Sequence, residues 1–201
     1  DQDGNTFTWK TFGDLDWALE NAEVTHYNDG TEIPQNQELT SWKNQLIGSW
    51  CYVYGSTTHK FYNWYAVNGI YDNASLNDPS LRKQFAPSGW RVATWADVQN
   101  LGSYLNPNYQ QNYPNNDLII SEDIAKSMAS VYGWVTTTIT NTPGNNPTSN
   151  NSTGLNFFAN GYRVDPGGTN STNGNQQGFY GWGSSAVFWT SDEDALKGYF
   201  I

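Results

Sequence analysis

The sequence predicts an α+β domain, and three observations carry that prediction. Two segments combine helical periodicity with capping residues, short aromatic runs are bounded by glycine, and the stretches between them are rich in Asn, Gly, Pro and Thr. At 201 residues the chain is long enough to bury a substantial core, so residues 1–201 are read as one domain.

The chain opens with "DQDGNTFTW", where Asp3-Gly4 is a hairpin-turn dipeptide and Phe7 and Trp9 alternate with polar neighbours as in a strand. Asp1, Asp3 and Asn5 share the spacing that begins a calcium loop. Such a loop needs Gly at its sixth position and Glu at its twelfth, and this chain has Thr6 and Phe12, which argues against calcium. Asn28-Asp29-Gly30 marks a second tight turn and Pro34 closes that segment. "IGSWCYVYG" and "KFYNWYAV" read as aromatic strands. In the second, Phe61, Tyr62, Trp64 and Tyr65 crowd into five positions, as a stacking platform for sugar rings, a strand buried on both faces or an exposed sticky patch.

Two helices follow. Thr94 is an N-cap with Asp97 three positions on, and Val98, Leu101 and Leu105 recur on one face, predicting a helix over Thr94–Leu105. Ser121 precedes Glu122 and Asp123 in a first turn, and Ile124, Met128 and Val131 form an apolar stripe, predicting a second helix over Ser121–Tyr132. From Asn141 to Gly178 the only charges are Arg163 and Asp165, and two Asn/Gly-rich loops flank the strand-like "LNFFANGYRV". These loops suit ligand recognition or plain surface equally. The sequons at Asn150, Asn151 and Asn170 carry no inference in a chain whose commonest residue is Asn.

Composition limits the function. A net charge of -10 repels polyanions, so nucleic acid and anionic lipid surfaces are not expected partners. No run approaches the roughly 18 apolar residues of a membrane span. Ten Trp among neutral polar residues suit either carbohydrate contact or an extracellular β-rich scaffold. Cys51 is the only cysteine, which excludes a disulfide within the chain, a Cys-based zinc site and a CxxC redox pair. His26 and His59 are the only histidines and are read as hydrogen-bonding residues. Nothing beside them completes a triad, and no HExxH or phosphate-cradling GxxxxGK occurs, so no catalytic residue is assigned. The adjacent acids Asp192, Glu193 and Asp194 read as a solvated loop.

Taken in order, "DQDGNTFTW", "WALENAEVTHYNDGTEIP", "CYVY", "KFYNWYAVN", "APSGWRVATWADVQNL", "IAKSMASVYGW", "STGLNFFANGYR" and "YGWGSSAVFWTSDED" resemble the Fibrobacter succinogenes major paralogous domain family across nearly the whole chain. The resemblance implies a C-type lectin-like fold, with short twisted antiparallel sheets, two helices and long Asn/Gly-rich loops. A strand over Phe61–Val67 would then be sandwiched, with Trp64, Tyr65 and Trp90 in the core. It implies a non-enzymatic module of an exported, often surface-anchored bacterial protein that recognises a glycan or protein ligand. An architectural role in a secreted, fibre or phage-appendage protein is the alternative. An enzyme like the formylglycine-generating one, which shares the fold, would need reactive cysteines where this chain has Cys51 alone. The Glu-Pro-Asn, Gln-Pro-Asp and Trp-Asn-Asp strings of calcium-dependent sugar binding are missing, so no cofactor is expected. The ligand-binding residues implied are Tyr162 and Arg163 after "FFANG", with Trp182, Trp189, Asp192 and Glu193. Family members continue past the segment matching "FWTSDED" with strands carrying a second cysteine. Cys51 is therefore expected to pair with such a segment, unless a partner chain or export machinery covers that edge.

Overall fold

The computed structural model describes residues 1–106, 122–164, 178–194 and 197–200. Among these, eight short strands form four separate two-stranded antiparallel sheets, and five α-helices connect or flank them. Strand β1 (Trp9–Phe12) pairs with β2 (Leu15–Ala18), and β3 (Trp50–Tyr52) with β4 (Lys60–Tyr62). Strand β5 (Tyr162–Arg163) pairs with β6 (Phe179–Tyr180), and β7 (Trp189–Asp194) with β8 (Lys197–Phe200). The α+β class and the short antiparallel sheets are as expected, while five α-helices stand among the described residues where two were expected. No helix of the described residues is long and apolar enough to cross a membrane.

The first hairpin turns at Gly13-Asp14, not at Asp3-Gly4. Asp3-Gly4 makes a tight turn before β1, closed by the Gly4 N–H donating to the Asp1 carbonyl at 3.1 Å. The acids with calcium-loop spacing are committed within the chain. Asp1 accepts the N–H groups of Asp3 and Asn5 at 3.0 and 2.9 Å, and Asp3 takes the Thr25 N–H and the His26 ring. Burial costs the Asp3 carboxylate solvation, but those hydrogen bonds outweigh the cost and hold its pKa below the ordinary value.

The β3–β4 hairpin lies between two apolar clusters, which explains its density of rings. Trp50 faces Val24, Tyr27, Ile33, Ala66 and Phe85, and Tyr52 and Tyr62 pack on the same group. Cys51 faces Trp42 and Phe179, with Phe61 against them on that opposite side. Alternate residues of a strand point to opposite faces, so a hairpin covered on both sides is aromatic throughout.

The strand expected to reach Val67 stops at Tyr62. Trp64–Val67 is instead a four-residue helix, α2, with Asn63 as its N-cap. Asn63 Oδ1 accepts the Ala66 N–H at 2.9 Å and the Ser49 N–H at 3.0 Å, while its Nδ2 donates to the Ile47 carbonyl at 2.8 Å. A buried amide able to satisfy three backbone groups at once favours a helix start over one more strand residue, despite the β propensity of Trp and Tyr. The turn into α2 buries Trp64 to 5% exposure and leaves Tyr65 half-buried.

Helix α1 (Leu39–Asn44) buries Trp42, and α3 (Asn73–Asn77) starts from an Asp72–Ser75 capping box. Helix α4 (Trp95–Leu105) matches its expected span, with Thr94 and Asp97 as a reciprocal capping box and Val98 and Leu101 buried. Helix α5 (Glu122–Met128) ends earlier than expected. Its Ile124 and Met128 join Phe12, Leu101 and Leu155 in a third apolar cluster. After Met128 the chain straightens to pair with the 157 segment, where the Phe157 N–H donates to Met128 and the Ser130 N–H to Phe157, both at 2.8 Å. Val131 therefore leaves the helical stripe and is exposed. Ser121, the expected cap, lies outside the described residues.

Two outcomes test this core. Trp64→Ala is expected to cost about 3–5 kcal/mol, and Asn63→Ala about 2–4 kcal/mol through the lost cap and the stranded Ser49 N–H. Denaturant melts measure both, and a cost under about 1 kcal/mol for Asn63→Ala would contradict the capping account. Burial pushes the Cys51 thiol up to about 11, although nearby Arg163 and the Phe61 backbone pull the other way. A disulfide reagent at about pH 8 should therefore label Cys51 only as fast as the protein opens. Immediate labelling would show that β3 is not closed over it.

Candidate functional site

A groove of about 580 Å3 opens beside the β5–β6 hairpin, and two of the residues expected to bind ligand meet in it. Tyr162 and Tyr180 are a cross-strand pair whose rings stack at 5.9 Å, 20° from parallel. Trp182 lies on the turn that follows and is 63% exposed. That turn is tightly tied, with the Ser184 and Ser185 N–H groups both donating to the Gly181 carbonyl at 2.9 Å. Its approach to β5 requires a glycine: at Gly161, φ +69°, a side chain would meet the Tyr180 carbonyl at 1.9 Å. Exposed Tyr54, beyond β3, forms another wall, and its ring packs 5.9 Å from that of buried Phe179. Tyr54, Tyr180, Ser184 and Ser185 were not singled out by sequence reasoning. The Gly-bounded "VYG" and "YGWGSS" were the available signals.

Arg163 does not face a ligand. It is 8% exposed, lies 4.8 Å from the Trp42 ring and 4.9 Å from the Phe179 ring, and donates to the carbonyls of Asn36 and Gln37 at 3.1 and 2.6 Å. Adjacent strand residues point oppositely, so locking Arg163 inward turns Tyr162 outward into the groove.

A further wall is Val135, whose N–H donates to the Gly183 carbonyl at 2.8 Å. It begins a loop wrapped around one ammonium group. Lys126 Nζ donates to the carbonyls of Thr142, Asn145 and Asn146 and to Asn150 Oδ1, the last at 2.7 Å. Asn150 Nδ2 returns to the Ser130 and Pro143 carbonyls. The Thr137 N–H donates to Gly144, and Asn145 Nδ2 donates to the Thr137 carbonyl. Positive φ at Asn141, Asn146, Asn151 and Asn156 explains the asparagines here, since Asn tolerates the left-handed region better than other side-chain-bearing residues. Asn150, a sequon residue, is buried with its amide fully engaged. Asn170 lies outside the described residues.

The other expected site residues do not join the groove. Trp189 is half-buried, and its Nε1 donates to the Tyr62 carbonyl at 2.9 Å, tying β7 to β4. Asp192 accepts the Trp95 N–H at the start of α4, and Glu193 pairs with Arg82 at 2.9 Å. These acids are thus committed to helix and loop contacts rather than left as a solvated cluster. Trp90 is half-buried against Phe7, the rings edge to face at 5.1 Å. His59 pairs with Glu23 at 2.9 Å and stacks on Phe158. A smaller cleft of about 310 Å3 lies between the β1–β2 hairpin and α4, near Trp17 and Tyr104. Among the described residues, no group of three or more His, Cys, Asp or Glu converges to hold a metal.

Comparison with known proteins yields one family. The model of the Fibrobacter succinogenes major domain matches residues 11–200. No curated protein and no solved structure matches the chain.

The α4 start also sets an acid limit on stability. The Arg91 guanidinium beside Asp97 holds its carboxyl well below the usual range despite burial, with Thr94 adding hydrogen bonds. A depressed carboxylate pKa stabilises the fold above the unfolded value of about 4 and loses that contribution as pH falls below it. Asp97→Asn is therefore expected to melt well below the parent at pH 7, and the gap should narrow at about pH 3. A gap independent of pH would show that the Asp97 charge is not what matters.

Proposed function

Because the chain belongs to the Fibrobacter succinogenes major domain family, we propose that it is a non-enzymatic binding module of C-type lectin-like fold. It is carried by an exported bacterial protein and works outside the cell or on its outer surface. There the Trp182 groove engages a glycan or protein ligand, as an adhesin does. The observation that carries this reading is Trp182 itself: a large ring exposed to 63% on a turn held by its own hydrogen bonds, beside outward-facing Tyr54 and Tyr162. An aromatic on a backbone that is already ordered needs little further main-chain ordering on binding, and large exposed rings are frequent at recognition surfaces.

The groove lining supports binding over catalysis. Among the described residues it consists of aromatic rings, Val135, Gly181 and two serines, without a histidine, carboxylate or lysine to act as a general base. Cys51, the only thiol available for chemistry of the formylglycine-generating kind, is buried and kept neutral by its surroundings.

The test is retention of the purified chain on plant and bacterial cell-wall preparations and on immobilised extracellular-matrix proteins. Trp182→Ala should melt within about 0.5 kcal/mol of the parent, as exposed substitutions do, and lose retention on the support that holds the parent. Retention unchanged by the substitution would place the site elsewhere. No retention of either protein would favour the architectural role.

A further inference from the structure

We propose that the Trp182 groove takes a neutral glycan, with sugar faces laid on its exposed rings and sugar hydroxyls met by serine and tyrosine oxygens, and that the Lys126 ammonium, not a bound cation, holds its loop wall in place. This rests on the reading of the groove as a ligand site, and four observations choose the ligand and the means of support.

Among the described residues the lining carries no formal charge, in a chain whose net charge is -10. A charged ligand would find no counter-charge there, and an anionic one would also meet the repulsion of the whole molecule. A neutral sugar needs neither, because its C–H faces are apolar and its rim is hydroxyl, matching rings set beside Ser184 and Ser185.

The Tyr180 hydroxyl is buried and has no hydrogen-bond partner among the described residues, although Tyr180 lines the groove. A buried hydroxyl without a partner is costly. A polyol supplies donors and acceptors together, so a small shift of the ring on binding lets that group be satisfied.

Size is compatible with a small ligand. A volume of about 580 Å3 falls within the roughly 300–1,000 Å3 of small-ligand sites, room for a short run of sugar units.

The fourth observation concerns the wall. Lys126 draws three backbone carbonyls and the Asn150 side chain to one point, and the loop so gathered passes through Gly144 and Thr137 to Val135, which bonds Gly183 next to Trp182. A ring of oxygens around one positive charge is what a metal ion would otherwise supply to a loop with so few charges of its own. Here the charge is covalently attached. Lys126 is thus a positioning residue for the groove, acting through Val135.

Titration calorimetry with the full chain tests the proposal. The probes are cellohexaose, xylohexaose, mannohexaose and maltohexaose as neutral oligosaccharides and hexagalacturonate as the charged control, each with and without a chelator. At least one neutral probe is expected to bind, to outbind hexagalacturonate and to keep its affinity in chelator. Trp182→Ala and Tyr162→Ala should each weaken it roughly tenfold or more. Lys126→Met should weaken binding and speed amide hydrogen exchange at Val135 and Thr137, while the amides of α4 stay protected. Equal or tighter binding of hexagalacturonate, loss of binding in chelator, or indifference to Trp182→Ala would each overturn the proposal, as would unchanged exchange in Lys126→Met. If no neutral probe binds while Trp182-dependent retention on a protein support persists, the glycan assignment falls and the binding-module reading stands. If neither occurs, both fall.

Discussion

The guanidinium of Arg163 lies between the rings of Trp42 and Phe179 and gives its hydrogens to two carbonyls 127 and 126 residues earlier in the chain. That contact joins β5 to the segment before α1 without any strand pairing between them. It does so through a cation set against carbonyl dipoles and π faces. The same device recurs where sheets are too small to hold loops. Lys10 Nζ donates to the Thr153 carbonyl at 2.6 Å, Lys60 Nζ to that of Glu23 at 2.9 Å, and Lys126 to three carbonyls at once. With sheets of two strands each, many backbone carbonyls have no ladder partner, and each must be satisfied where it is buried. Nine basic residues among 201 are few, and several of them serve as loop ties.

The character of the groove follows from this use of charge. Cations consumed in the interior are not available to line a surface, and acids such as Asp97, Asp192 and Glu193 are taken up by helix starts and ion pairs. Rings, hydroxyls and amides are left for the open face. The groove is also rigid for its position on loops, since Gly161, the Gly181 turn and the Val135–Gly183 bond fix its backbone from three sides. Pre-ordered aromatic surface of this kind loses little freedom when a ligand arrives.

Helix α4 was legible residue by residue because its start is written locally: Thr94 and Asp97 cap it within one turn, and nothing distant is needed. The β3–β4 rings were legible as apolar but not as to where they point. The end of β4 depended on the Asn63 amide reaching Ile47 and Ser49, 16 and 14 residues away, and a propensity scale has no access to such a contact. Helix α5 was half legible: its stripe holds at Ile124 and Met128 and fails at Val131, because backbone pairing with Phe157 competes for the same residues. Of the six residues expected to bind ligand, Tyr162 and Trp182 reach the groove. Arg163 sits behind it, and Trp189, Asp192 and Glu193 serve other contacts.

By itself the sequence determined the α+β class, the capped helix, the family and the acidic, Asn- and Trp-rich composition, because caps, periodicity and composition act over a few residues or over all of them. The tertiary structure decided which aromatic rings are core and which are open, and which cations hold loops together. Trp64 and Trp182 are chemically the same side chain, yet one is 5% exposed and the other 63%. What separates them is contact across the chain: α2 folds Trp64 inward from an amide bonded to distant backbone, whereas the Gly181 turn, held against β5 and Val135, leaves Trp182 facing out.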